Sequence, residues 1–204
     1  MSSKLENAVL LLVDLQNDTI HPDGAFKATG TPEHAVEQDV VTNAIRLADA
    51  ARVAAIPVIH IHHRQSVGAT NGRDAIRNAP LFENLAESEA MSTAWGAAPV
   101  VGLEPAENDT VITKQRCGAF TATSLDVKLR GLGAKTVIVA GAVTNLSVEN
   151  TVRSGADLGY QMVLVEDACS SFDSEWHQNS IKYALTYLSE VVKVSDVLDS
   201  IRRR

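Results

Sequence analysis

Short aliphatic runs alternate along this chain with stretches in which apolar residues recur every three or four positions. Ala8–Val13, Pro57–His62, Asp109–Thr113, Lys135–Ala140, Met162–Val165 and Val191–Val194 read as strands. Most are continuous apolar runs rather than alternating ones, the mark of strands buried on both faces of a parallel sheet. Between them, helical spacing runs from Pro32 through Val36, Val40, Val41, Ala44, Leu47 and Ala48, with Pro in the first turn. It recurs from Ser124 to Leu132 before Gly133, from Leu146 to Leu158 before Gly159, and from Glu175 to Leu188. The alternation predicts an α/β fold: a doubly wound, mostly parallel six-stranded sheet with helices on both faces.

The run from Arg64 to Asp109 shows no long period, although Ala79–Ala90 could make a short helix. A connection of that length inside a compact domain is usually functional. Trp95 lies in it, and covering a sheet edge and facing a substrate are both open roles for its ring.

The chain has 204 residues, which suits one domain over 1–204 with a single well-filled core. A net charge of −7 argues against nucleic-acid binding, and Arg202–Arg204 reads as a solvated tail. Two cysteines, Cys117 and Cys169, are too few for a disulfide framework, so a cytoplasmic setting is expected. The apolar N-terminal run is short and interrupted by Asp14, so no membrane segment is expected.

Chemistry concentrates where strands end. Asp14 closes the first run and Lys114 the third, and two opposite charges leaving buried parallel strands at one edge are not required by packing. The fourth run breaks at Gly141 and turns through Ala142, Val143 and Thr144 into a helix headed by Ser147. Ligands of open parallel sheets bind beyond the carboxyl ends of the strands, where a helix start offers unpaired N–H groups. His60, His62 and His63 invite a metal reading, but they lack a convergent carboxylate or Cys pair, so no metal is expected. No cofactor is expected either.

Four motifs, LLVDLQND at the first strand, VITKQRCGAF at the third, GAVTNLSVENTVR at the turn and VLVEDACSS after the fifth, stand in order along nearly the whole chain. With them the chain resembles the isochorismatase-like hydrolase superfamily, which includes nicotinamidases, N-carbamoylsarcosine amidase and ureidoacrylate hydrolases. The resemblance implies Asp14 as general acid/base, Lys114 as the cation steadying the nucleophile, and Ser147 at the position of the usual nucleophilic Cys. It also implies an oxyanion-binding turn from Ala142, Val143 and Ser147, with a non-proline cis peptide at Ala142–Val143.

The expected activity is hydrolysis of a small amide, ureido or related carbonyl compound. A vinyl ether hydrolysis of the isochorismatase type and a non-catalytic small-ligand binder are the alternatives. Gln16, Asn17, Phe26, Trp95, Phe120 and Thr144 are the candidate substrate-binding residues. By analogy, the partners expected are a small-molecule substrate and further copies of the chain, as a dimer or tetramer.

Overall fold

A computed structural model of the chain describes residues 5–64 and 93–203. The strands are β1 (Ala8–Val13), β2 (Val58–His63), β3 (Thr110–Lys114), β4 (Thr136–Ala142), β5 (Gln161–Ser170) and β6 (Glu190–Val192). They form one sheet in the order β3-β2-β1-β4-β5-β6, and every pairing is parallel. The helices are α1 (Asn17–Ile20), α2 (Thr31–Glu37), α3 (Val40–Val53), α4 (Leu125–Gly131), α5 (Glu149–Asp157), α6 (Ser174–Tyr183) and α7 (Val194–Arg202). The sheet is doubly wound, as the hydrophobic pattern predicts.

Strand β1 shows why its run is continuous. Ala8, Leu10 and Leu12 enter a core shared with α2, α3 and α7, while Val9, Leu11 and Val13 enter a second core shared with α4, α5 and α6. Both faces are covered, so alternation of apolar and polar residues would have buried side chains without partners. Helix α3 follows the same logic, with Val40, Ala44, Leu47, Ala48 and Ala51 on the buried side.

Four expectations change. The period from Pro32 to Ala48 belongs to two helices, because Asp39 adopts a left-handed conformation (φ 52°) between α2 and α3. Strand β5 runs on to Ser170, past the expected end at Val165. Val139 pairs with Leu164 but Gly141 with Cys169, so the polar pair Glu166–Asp167 lies in a bulge rather than at a terminus. There the Asp167 carboxylate accepts the Val194 N–H (2.8 Å) and its carbonyl accepts Asn43 Nδ2 (2.7 Å).

The helix expected from Glu175 to Leu188 stops at Tyr183 and continues as a 3₁₀ turn, Leu185–Tyr187. The last strand ends at Val192 rather than Val194, and the residues that follow, for which the hydrophobic pattern predicts no helix, form α7, whose Val194 and Val197 are buried and whose Ile201 packs on the same core. Asp196 accepts the Lys193 N–H (2.9 Å) at the start of α7. The helix suggested for Ala79–Ala90 falls outside the described residues. None of the helices described is long and apolar enough to cross a membrane.

Candidate active site

In this strand order the direction of winding reverses between β1 and β4, which leaves a crevice beyond their carboxyl ends. Both strands end in unusual backbone. Asp14 takes a left-handed conformation (φ 52°) while its N–H stays bonded to the Ile61 carbonyl (2.9 Å). Aspartate tolerates this conformation better than most residues, as Asp39 does between α2 and α3. Across from it, Gly141 has φ 143°, and a Cβ there would stand 2.1 Å from the Val13 carbonyl oxygen. Only glycine lets β4 pass so close.

The Ala142–Val143 peptide that follows is cis. The chain then enters a single π-helical turn, Thr144–Val148, before α5, so Ser147 lies within this turn rather than at the head of an α-helix. The Leu146 and Val148 N–H groups both donate to the Val143 carbonyl (3.0 and 3.2 Å), which fixes the plane of the turn.

Lys114 reaches this point from two strands away. Adjacent strands are about 4.8 Å apart, so β3 stands about 10 Å from β1 and only a long side chain can span the end of β2. The residue it crosses is its own register partner, His63. Lys114 Nζ lies 2.7 Å from Asp14 Oδ2 and donates to Ser147 Oγ (3.1 Å), and the Ser147 hydroxyl donates to Asp14 Oδ2 (2.6 Å). Two further contacts, to the Arg116 and Cys117 carbonyls (3.0 and 2.9 Å), hold the ammonium from behind. An ammonium has three protons, so Asp14 and Ser147 compete for the one the carbonyls leave.

All three residues are buried, with exposures of 3% for Asp14, 1% for Lys114 and 8% for Ser147. Burial pushes the His63 imidazole down to about 4, and the Lys114 charge adds to the effect. His63 is therefore neutral at pH 7 and adds no charge beside Asp14 and Lys114.

The recess over this triad is lined by Asp14, Thr19, Phe26, His63, Cys117, Ala142, Val143, Leu146 and Ser147. Of the six candidate substrate-binding residues, only Phe26 is in this wall. Gln16 is a brace: its amide clasps both backbone groups of His63 (2.9 and 2.7 Å) and the Ala97 carbonyl (2.7 Å). Asn17 holds the Trp95 carbonyl (2.9 Å), and the Trp95 ring packs edge-on against His21 outside the recess. Thr144 turns away to His177 Nδ1 (2.9 Å). Phe120 stacks on Tyr160 and packs into the core on the α4–α5 side of the sheet. A loop aromatic shortly beyond Lys114 reads equally well either way in sequence; here the Tyr160 ring claims it.

Thr19, Cys117 and Leu146 also belong to the wall; Cys117 and Leu146 stand within the motifs around Lys114 and Ser147, and Thr19 directly follows the motif around Asp14, but none is among the candidate substrate-binding residues. The one usable signal is their proximity to Asp14, Lys114 and Ser147 along the chain. Burial raises the Cys117 thiol above its ordinary value against the pull of Lys114, which keeps it protonated and poorly nucleophilic. His60 is tied to Asp109 (3.1 Å), which also receives Arg52 (2.6 Å), so its ring belongs to a structural cluster away from the recess.

Comparison with known proteins identifies the family and the fold. The isochorismatase domain family matches residues 8–196. An uncharacterized isochorismatase family protein of Escherichia coli O157:H7, YecD, is 30% identical over 196 residues, covering 96% of this chain and 97% of that protein. The ureidoacrylate amidohydrolase RutB of Enterobacter sp. (strain 638) is 29% identical over 210 residues, covering 96% and 90%. Among solved structures, an isochorismatase family protein from Desulfovibrio vulgaris subsp. vulgaris str. Hildenborough superposes with a TM-score of 0.82 at 26% identity, covering 97% of this chain and 99% of that one. Matched in sequence from β1 into α7 and in fold along its length, the chain belongs to the isochorismatase family.

Proposed function

We propose that the chain is a hydrolase that cleaves the C–N bond of a small amide or ureido compound, with Ser147 as nucleophile. The observation that carries this reading is the contact of the Ser147 hydroxyl with Asp14 Oδ2 at 2.6 Å, beside a buried Lys114. A serine is far less acidic than a thiol and needs a base in the transition state, and here the base is already hydrogen-bonded to it. Phe26, Ala142, Val143 and Leu146 wall the recess around the polar triad, a lining that suits a small ligand with a polar reacting group.

Ser147 Oγ attacks the carbonyl carbon as its proton passes to Asp14 Oδ2. The Val143 and Ser147 N–H groups bind the oxyanion that forms, and Lys114 offsets the negative charge. The C–N bond then breaks, the leaving nitrogen takes the proton back from Asp14, and a water activated by the same carboxylate hydrolyses the ester on Ser147. Similarity to an amidohydrolase, RutB, supports this reading over the vinyl ether alternative.

Turnover of a panel of ureido acids, N-carbamoyl amino acids and primary amides tests it. The wild type should release ammonia or amine from at least one member, Asp14→Asn should lose about 10²- to 10⁴-fold in kcat, and Ser147→Ala should be inactive. Hydrolysis that survives Ser147→Ala but not Asp14→Asn would point to attack by water. A silent panel for both the wild type and Ser147→Cys would end the amidase reading.

A further inference from the structure

Thr19 lies in α1, shortly beyond Asp14, and is 2% exposed. A buried threonine in a helix can satisfy its hydroxyl by returning it to a carbonyl three or four residues back. Thr19 does not. Its backbone N–H donates to the Gln16 carbonyl (3.0 Å), but Oγ1 has no hydrogen-bond partner among the described residues. The polar side chains beside it are used by the protein: Gln16 and Asn17 brace backbone carbonyls, and Asp18 Oδ1 accepts the Ala25 N–H (3.2 Å).

The recess that Thr19 lines has a second buried oxygen without a partner among the described residues, Asp14 Oδ1. Phe26, Val143 and Leu146 supply apolar wall. An unpaired buried hydroxyl is destabilising, and valine would fill the same shape without that cost. Two orphaned oxygens in one recess are explained together by a ligand that bonds both.

We propose that Thr19 is a specificity residue whose hydroxyl donates to an oxygen on the substrate remote from the scissile bond, while Asp14 Oδ1 accepts an N–H beside that bond. An ionised carboxylate can only accept and a hydroxyl can donate, so the pair selects a compact molecule with an N–H group at one end and a carbonyl or carboxylate oxygen at the other. An N-carbamoyl acid has both; an alkylurea of similar size has only the first. This inference rests on the hydrolase reading for its choice of substrate and on the orphaned oxygens for the residue.

The test compares N-carbamoylglycine with propylurea on the wild type, Thr19→Val and Thr19→Ser. Thr19→Val should lose about 10- to 100-fold in kcat/KM for N-carbamoylglycine and stay within about threefold for propylurea, and Thr19→Ser should restore most of the loss. Thr19→Val should also melt no lower than the wild type, since it removes an unpaired hydroxyl rather than a bond. Equal losses on both compounds, or none, would overturn the proposal. If the wild type hydrolyses neither compound, the wider panel with Ser147→Cys decides about the hydrolase reading, and calorimetric binding of N-carbamoylglycine decides separately about Thr19. Weaker binding by Thr19→Val supports the assignment, whereas equal or absent binding by both proteins overturns it.

Discussion

Asp14 and Ser147 are 133 residues apart in the chain and 2.6 Å apart in the fold, joined by a hydrogen bond from the serine hydroxyl to Oδ2. The same oxygen receives Lys114 at 2.7 Å. One carboxylate oxygen thus organises the nucleophile and the cation, and the other is left for a ligand. Removing Lys114 would strand the Asp14 charge in the interior. Lys114→Met should therefore destabilise the protein by about 3–5 kcal/mol, and Asp14→Asn in the same chain should recover much of that loss. Urea unfolding at neutral pH, with the double variant closing the cycle, measures both.

Acid should weaken the fold through His177. Burial, with a smaller contribution from neighbouring His34, pushes its imidazole down to about 4, so the folded state holds it neutral. The unfolded chain protonates it near pH 6.5. Its contribution to stability is therefore complete above that pH and is lost as pH falls from about 6.5 toward about 4, amounting to roughly 3 kcal/mol. His177→Phe costs stability at neutral pH, because it deprives Thr144 of its partner, but its melting temperature should fall less steeply over that window. Thermal melts from about pH 7.5 to about pH 4 give the two slopes.

Two glycines should respond in opposite ways. In Gly141→Ala the new methyl group meets the Val13 carbonyl oxygen at 2.1 Å in a backbone conformation closed to alanine, and a loss of more than about 2 kcal/mol is expected. Gly131 ends α4 with no atom within 4 Å of the place an added methyl group would take, and Gly131→Ala should be neutral or stabilising by up to about 1 kcal/mol. Chemical denaturation of both variants checks the contrast.

Phe26 both lines the recess and packs in the core on the α2–α3 side, whereas Phe120 packs against the core alone. Phe26→Ala should raise KM by severalfold for any substrate the enzyme accepts, because it opens the wall of the recess. Phe120→Ala should lower the melting temperature by removing its stack on Tyr160 and leave KM within about twofold. Kinetics beside thermal melts of the same preparations distinguish them.

Hydrophobic pattern alone determined the six strands, the double winding and the strand exits at Asp14 and Lys114, because a run of buried residues ends where the strand ends, whereas β4 continues past the expected break at Gly141 to Ala142. The same pattern misplaced boundaries: Glu166–Asp167 look like a strand end but occupy a bulge, and Val194 looks like the end of the last strand but opens α7. The triad could be named from the motifs, yet its wiring belongs to the tertiary structure. Only the strand order brings β1 and β4 together at the reversal of winding and sets Lys114 two strands away, within reach of one oxygen. The wall of the recess was decided there too. Whether Gln16, Asn17, Thr144 and Phe120 face a ligand or brace the fold depends on which neighbour claims each group, and those neighbours, His63, Trp95, His177 and Tyr160, are distant in sequence.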